Sequence, residues 1–100
     1  MPETTRAELE QIGREAARDV AGADAVQEVE AVPGETADRS VYYFTFLIDQ
    51  TRARQRPGLI MAGLIQRLSD ELHARHDERF PFVRLLDRTD WDQRASARPY

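Results

Sequence analysis

The chain contains no cysteine, no lysine and no asparagine among its 100 residues. Without cysteine there is no disulfide, thiolate metal site, iron–sulfur cluster or cysteine nucleophile. No run approaches eighteen consecutive apolar residues, so the sequence offers no transmembrane helix. The start, Met1-Pro2-Glu3, is acidic and lacks the basic-then-apolar order of a secretion signal. Together these absences lead us to expect a cytoplasmic protein with no membrane partner. Glycine is scarce, at five residues, and none falls in a phosphate-cradling loop or a Gly-x-Ser-x-Gly turn. The only serines are Ser40, Ser69 and Ser96, with no nucleophile–base pair at a diagnostic spacing, so nothing indicates a catalytic site or a cofactor.

What is present is an ordinary globular composition, 41% hydrophobic and 32% charged, which excludes a disordered tail. The length supports one packed core, so we expect a single domain over residues 1–100 with its ordered part at about 5–95. The charge is unevenly divided. Residues 1–50 hold four arginines against eleven acids, and residues 51–100 hold ten arginines against seven, within a net charge of −4. A net acidic chain makes a poor general phosphate binder. All fourteen basic residues are arginine, the bias of a GC-rich bacterial coding sequence.

Thr5-x-x-Glu8 reads as a capping box. Leu9, Ile12, Ala16 and Val20 follow at helical spacing and Gly22 ends the pattern, which predicts a helix over 6–21. Val26, Val29 and Val32 suit a half-exposed strand of about eight residues, imperfect in its alternation and open to a bulge. Pro33 to Asp38 is turn chemistry, returning the chain antiparallel. Ser40 to Ile48 is the strongest strand, with Tyr42, Phe44, Phe46 and Ile48 on one face and Val41, Tyr43, Thr45 and Leu47 on the other. Pro57-Gly58 opens a second helix over 58–76, with Ile60, Met61, Leu64, Ile65, Leu68 and Leu72 on a broad stripe. Phe82 to Leu86 forms a last short strand. Thr89-Asp90-Trp91-Asp92 then starts a terminal helix or turn.

The fold class that follows is α+β: an α-β-β-α-β domain whose three-stranded mixed sheet has two helices on one face. The second helix is a right-handed crossover that sets the third strand parallel to the second. The opposite face then carries Val41, Tyr43 and Leu47, and soluble proteins rarely leave such a patch in water. A second copy, in a two-fold homodimer, would cover it. The competing cover is the C-terminal segment with Trp91 and Tyr100. We therefore expect a protein-interaction or homodimerisation module with Val41, Tyr43 and Leu47 at its interface.

Three polar groupings compete with that reading. Arg52, Arg54 and Arg56 stand two apart before a helix N-terminus, and in extended conformation would form a rake for phosphate or carboxylate, with Arg67 or Arg84 as additions. The same residues also suit a solvated loop. His73 and His76, at i and i+3 with Asp70, Asp77 and Glu78 nearby, have the spacing of a partial metal site, although the arginines at 75 and 79 oppose a cation. Imidazoles there equally complement a helix C-terminus. Asp87, Asp90 and Asp92 around Trp91 could supply paired carboxylates, but suit better the charged first turn of a helix that begins with Thr89.

In element order, residues 5–87 resemble the type II KH-like fold, which includes the small ribosome-maturation factors built on α-β-β-α-β. That resemblance implies an RNA-binding module. KH modules hold the nucleic-acid backbone with a GXXG loop. Here Gly58 and Gly63 are five apart with apolar Leu59 to Ala62 between them, so the clamp is missing. The stretch Arg39 to Phe46 matches part of the RRM strand motif through Arg39, Tyr43, Phe44 and Phe46, yet it lacks the glycine and has Val41 at a stacking position.

Overall fold

Thr5 begins the first helix as its spacing predicts. In the computed structural model, which describes residues 4–94, the Thr5 hydroxyl accepts from the Glu8 amide at 3.2 Å, and the Glu8 carboxylate accepts from the Thr5 amide at 3.1 Å. Helix α1 spans Arg6–Ala21, stops at Gly22 (φ 100°) and buries Leu9, Ile12, Ala16, Ala17 and Val20. The first strand, β1 (Val26–Glu35), pairs antiparallel with β2 (Ser40–Ile48). The register shifts between Val26 and Glu28, leaving Gln27 as the extra residue of a bulge.

Strand β1 continues through Pro33-Gly34-Glu35, residues whose chemistry had predicted a loop, so the turn shrinks to Thr36–Arg39. The correction has a physical reason. β1 is an outer strand, and proline is tolerated at an edge because no ladder bond is lost there. The last strand, β3 (Phe80–Leu86), likewise starts two residues earlier than expected and includes Pro81. It pairs parallel with β2, giving the order β1-β2-β3 in which Pro33 and Pro81 lie on either side of Tyr42.

Between them helix α2 (Pro57–Ala74) has its proline in the first turn and buries Ile60, Leu64, Leu68 and Leu72. It ends two residues before the predicted stop. The amide of His76 donates to the His73 carbonyl at 3.0 Å and that of Asp77 to the Leu72 carbonyl at 2.9 Å, while His76 adopts φ 60°. This is the Schellman pattern, with histidine where glycine is usual. A short helix, α3 (Arg88–Arg94), follows β3, and the Asp87 carboxylate, rather than Thr89, caps it by accepting from the Asp90 amide at 2.8 Å.

Helices α1 and α2 lie on one face of the sheet, where Tyr42, Phe44, Phe46 and Ile48 join their apolar stripes in a single core. The architecture is the expected α+β arrangement, with α3 as its short terminal helix. Among the described residues no helix is long and apolar enough to cross a membrane.

Candidate interaction surface

The pairing register assigns the face turned away from α1 and α2. Its rows, reading β1, β2 and β3, are Gly34–Val41–Phe80, Val32–Tyr43–Phe82, Glu30–Thr45–Arg84 and Glu28–Leu47–Leu86. The cover over these rows is uneven. Leu47 is 0% exposed and Val41 1%, so neither of these expected interface residues has surface to offer a partner. For Leu47 the reason is local. Helix α3 turns back after Leu86 and packs on β2 and β3, and Arg88 reaches past β2 to donate to Gln27 Oε1 of β1 at 3.4 Å. Trp91 is half-buried on this helix, so part of the C-terminal segment does act as a lid. Tyr100 lies outside the described residues.

Beyond that lid the face is open. Tyr43 is 41% exposed and Phe82, its partner in register, 42%. Their rings stack with centroids 5.6 Å apart and planes 19° apart, and Phe80 meets Phe82 edge-on at 5.0 Å. A hollow of about 610 Å³ lies over the Tyr43 and Phe82 rings, lined also by Val32, Thr45 and Arg84, with Glu30 and Glu35 along its β1 side. Gly34 allows the ring to lie where it does: a Cβ there would come within 2.2 Å of Tyr43 Cε2. Sequence reasoning identified Tyr43 but missed Phe82, although the expected parallel pairing of β3 with β2 already brought the two strands together.

The arginine rake does not form. The chain turns at Asp49, whose carboxylate accepts from the Thr51 amide and hydroxyl and pairs with Arg52 at 3.5 Å. The Arg54 amide donates to the Ala21 carbonyl at 3.1 Å, and its side chain lies against Gly22 at the end of α1. Arg56 is the residue before α2 and makes no capping bond with its side chain. The extended conformation that would have aligned the three is absent because β2 ends at Ile48. Arg67 pairs with Asp19, and Arg84 stands alone of this group on the open sheet face. The histidine pair separates for a similar reason: α2 ends at Ala74, so His73 and His76 do not share a helical face. Among the described residues no three His, Asp or Glu side chains gather as a metal site.

A polar cluster that sequence reasoning missed lies beside the core. Asp77, 9% exposed, accepts from the Tyr42 hydroxyl at 2.5 Å and from the Thr4 hydroxyl at 2.9 Å on Oδ2. Its Oδ1 accepts from the Arg79 amide at 3.1 Å and, more distantly, from the Arg79 guanidinium at 3.4 Å. The same guanidinium donates to the Tyr42 hydroxyl at 3.2 Å and lies 5.5 Å from its ring centroid. Burial raises the Asp77 pKa, but the Tyr42 hydroxyl, the Arg79 amide, the Thr4 hydroxyl and the Arg79 charge together hold it below the ordinary carboxylate value. Tyr42 is held above its usual pKa, first by burial and then by donating to Asp77. The cluster ties the start of α1, the first part of β2 and the α2–β3 connection, and its donors and acceptors satisfy one another. We assign it to the fold.

Comparison with protein-family models, with curated proteins and with solved structures finds no match to this chain.

Proposed function

We propose that this chain is a small protein-interaction module, with no chemistry of its own, that acts as a homodimer through the open part of its sheet face. The observation that carries the reading is the pair of stacked rings, Tyr43 and Phe82, each about two-fifths exposed at the floor of a hollow. Tyrosine and phenylalanine are among the residues enriched in the cores of protein interfaces. The acidic side chains Glu30 and Glu35 beside the rings disfavour a phosphate backbone as the occupant. The pairing of Arg52 with Asp49 and the turn that carries Arg54 against the end of α1 weigh against the anion-binding alternative.

The magnitude is modest. At about 200 Å² per aromatic side chain, the two rings leave on the order of 160 Å² in water, or roughly 4 kcal/mol per protomer. A two-fold contact doubles this to about 8 kcal/mol, against an association cost of roughly 4–15 kcal/mol. The rings therefore bring a dimer to the edge of stability, and neighbouring contacts decide its affinity.

Light scattering after size exclusion tests the proposal. Wild-type protein is expected to elute as a dimer at high protein concentration, with only a modest weakening in high salt. The Tyr43→Glu/Phe82→Glu variant should be a folded monomer by circular dichroism. A wild-type chain that stays monomeric at every accessible concentration refutes the reading.

A further inference from the structure

We infer that the partner on this face is a second copy related by a two-fold axis running across the strands at the level of Tyr43, so that α3 of each copy overhangs the β1–β2 turn of the other. The inference rests on the interaction reading above and adds an arrangement to it. In profile the face is a step. Toward the end of β2, around Leu47, it lies under α3, whereas toward the start of β2 the rows of Phe80 and Phe82 form a lower, aromatic floor. A two-fold axis along the strands keeps every row at its own level and so sets α3 on α3. Two helices, each about 10 Å thick, would then stand between sheets that pack at about 10 Å, and the rings could not meet. An axis across the strands reverses the levels. The floor of each copy then lies on the floor of the other, and the two α3 helices stand at opposite ends of the interface.

The pairing register sets what meets across such an axis. Val32, Tyr43 and Phe82 each meet their own copies, and the Thr45 row falls on the partner's Val41 row. Arg84 then lies over the partner's Phe80, which is half-buried, and a guanidinium over a ring is attractive. Glu30, engaged within its own chain, lies over the partner's Gly34. Because β1 lies over β1, the acidic residues Glu28, Glu30 and Glu35 of both copies gather on one flank. Arg88 offsets them. It reaches across to Gln27, beside Glu28, near the level that the axis carries to the partner's Glu35, whose place in register is opposite Ser40. The partner's Glu35 thus falls between Glu30 and Arg88. At each overhang α3 brings Arg88, Asp90, Asp92 and Arg94, and the turn brings Asp38 and Arg39, so both sides offer both signs. Every contact occurs twice through one patch, as an isologous interface requires.

Introduced thiols read this arrangement, because the chain has none of its own. Ala37 in the turn and Thr89 on α3 are both exposed. Under mild oxidation, Ala37→Cys mixed with Thr89→Cys should give the 37–89 disulfide well ahead of the 89–89 product. Nitroxides on Thr89→Cys should lie about 25 Å apart or more, since Leu47 under each lid is four residues from Tyr43 and a strand rises about 3.3 Å per residue. Stacked lids would instead bring the labelled helices within about 10 Å. Complementary charge reversal is the second measurement. Glu35→Arg and Arg88→Glu should each weaken dimerisation about 10-fold alone. Their equal mixture restores both pairs in a heterodimer, which should form within about threefold of wild-type affinity by sedimentation equilibrium. A dominant 89–89 disulfide, a short nitroxide distance, or a mixture no tighter than either variant alone means that the axis is wrong while the sheet-face dimer stands. A wild-type monomer overturns both.

Discussion

Removing the Asp77 carboxylate should be among the most damaging single changes available outside the apolar core. Four donor groups converge on it: the Tyr42 hydroxyl, the Thr4 hydroxyl, and the amide and guanidinium of Arg79. Asp77→Ala takes the acceptor from the buried Tyr42 hydroxyl and removes a carboxylate partner of the half-buried Arg79 guanidinium. A hydrogen bond to a charged group is worth about 1.5–3 kcal/mol, and losing one partner of a buried pair costs about 3–5 kcal/mol. The four bonds form one network and do not add, so we expect a loss of about 3 kcal/mol for Asp77→Ala. Asp77→Asn keeps the shape and lets the two hydroxyls turn to accept, so it should cost about half as much. The pH dependence separates this account from a packing defect. A carboxyl held below its unfolded pKa contributes stability that is complete above about pH 4 and is lost as the pH falls through the folded value. Urea denaturation from pH 7 to pH 2 should therefore show a shallower acid decline for Asp77→Asn than for wild type. Wild-type and Asp77→Asn curves that run parallel through that range would refute the reasoning, whatever the size of the offset.

Three further outcomes can be checked by the same denaturation. His76→Gly should stabilise by about 1 kcal/mol, because φ 60° suits glycine and strains histidine; a loss would mean that the imidazole makes an unrecognised contribution. Gly58→Ala should stabilise by about 0.5–1 kcal/mol, since a Cβ there meets nothing within 4 Å, whereas Gly63→Ala should gain less or lose, its Cβ falling 2.8 Å from Val20 Cγ1. Gly34→Ala must move the Tyr43 ring from above the strand. It should change stability by less than about 1 kcal/mol while weakening self-association measured by light scattering.

The parts of this fold that were legible in the sequence are those governed by local rules. Thr5 and Glu8 are three residues apart and announce the start of α1. The alternation from Ser40 to Ile48 placed both faces of β2 correctly because a strand's period needs no knowledge of its neighbours. Reasoning failed where a neighbour decides. Pro33 reads as turn chemistry and the last strand reads as starting after Pro81, at Phe82, because proline interrupts a central strand, whereas both lie on outer strands that tolerate it. From its sequence Leu47 reads as open, because the placement of α3 over it is a tertiary fact. The Asp77 cluster joins residues 35 and 73 positions apart, beyond the reach of any spacing rule. One signal was present: Tyr42 faces inward, and a buried tyrosine hydroxyl needs a partner.

The two prolines that share Tyr42's level bear on how copies of this protein can add to one another. Each outer strand lacks a backbone donor at that level, so an incoming strand would find its row of hydrogen bonds interrupted on either side. Growth by lateral strand addition has no natural end and leads toward fibres, and here it is blunted on both flanks. Association through the broad face is self-limiting, since a two-fold contact consumes the surface that made it. A sheet of only three strands is thereby steered toward finite assemblies.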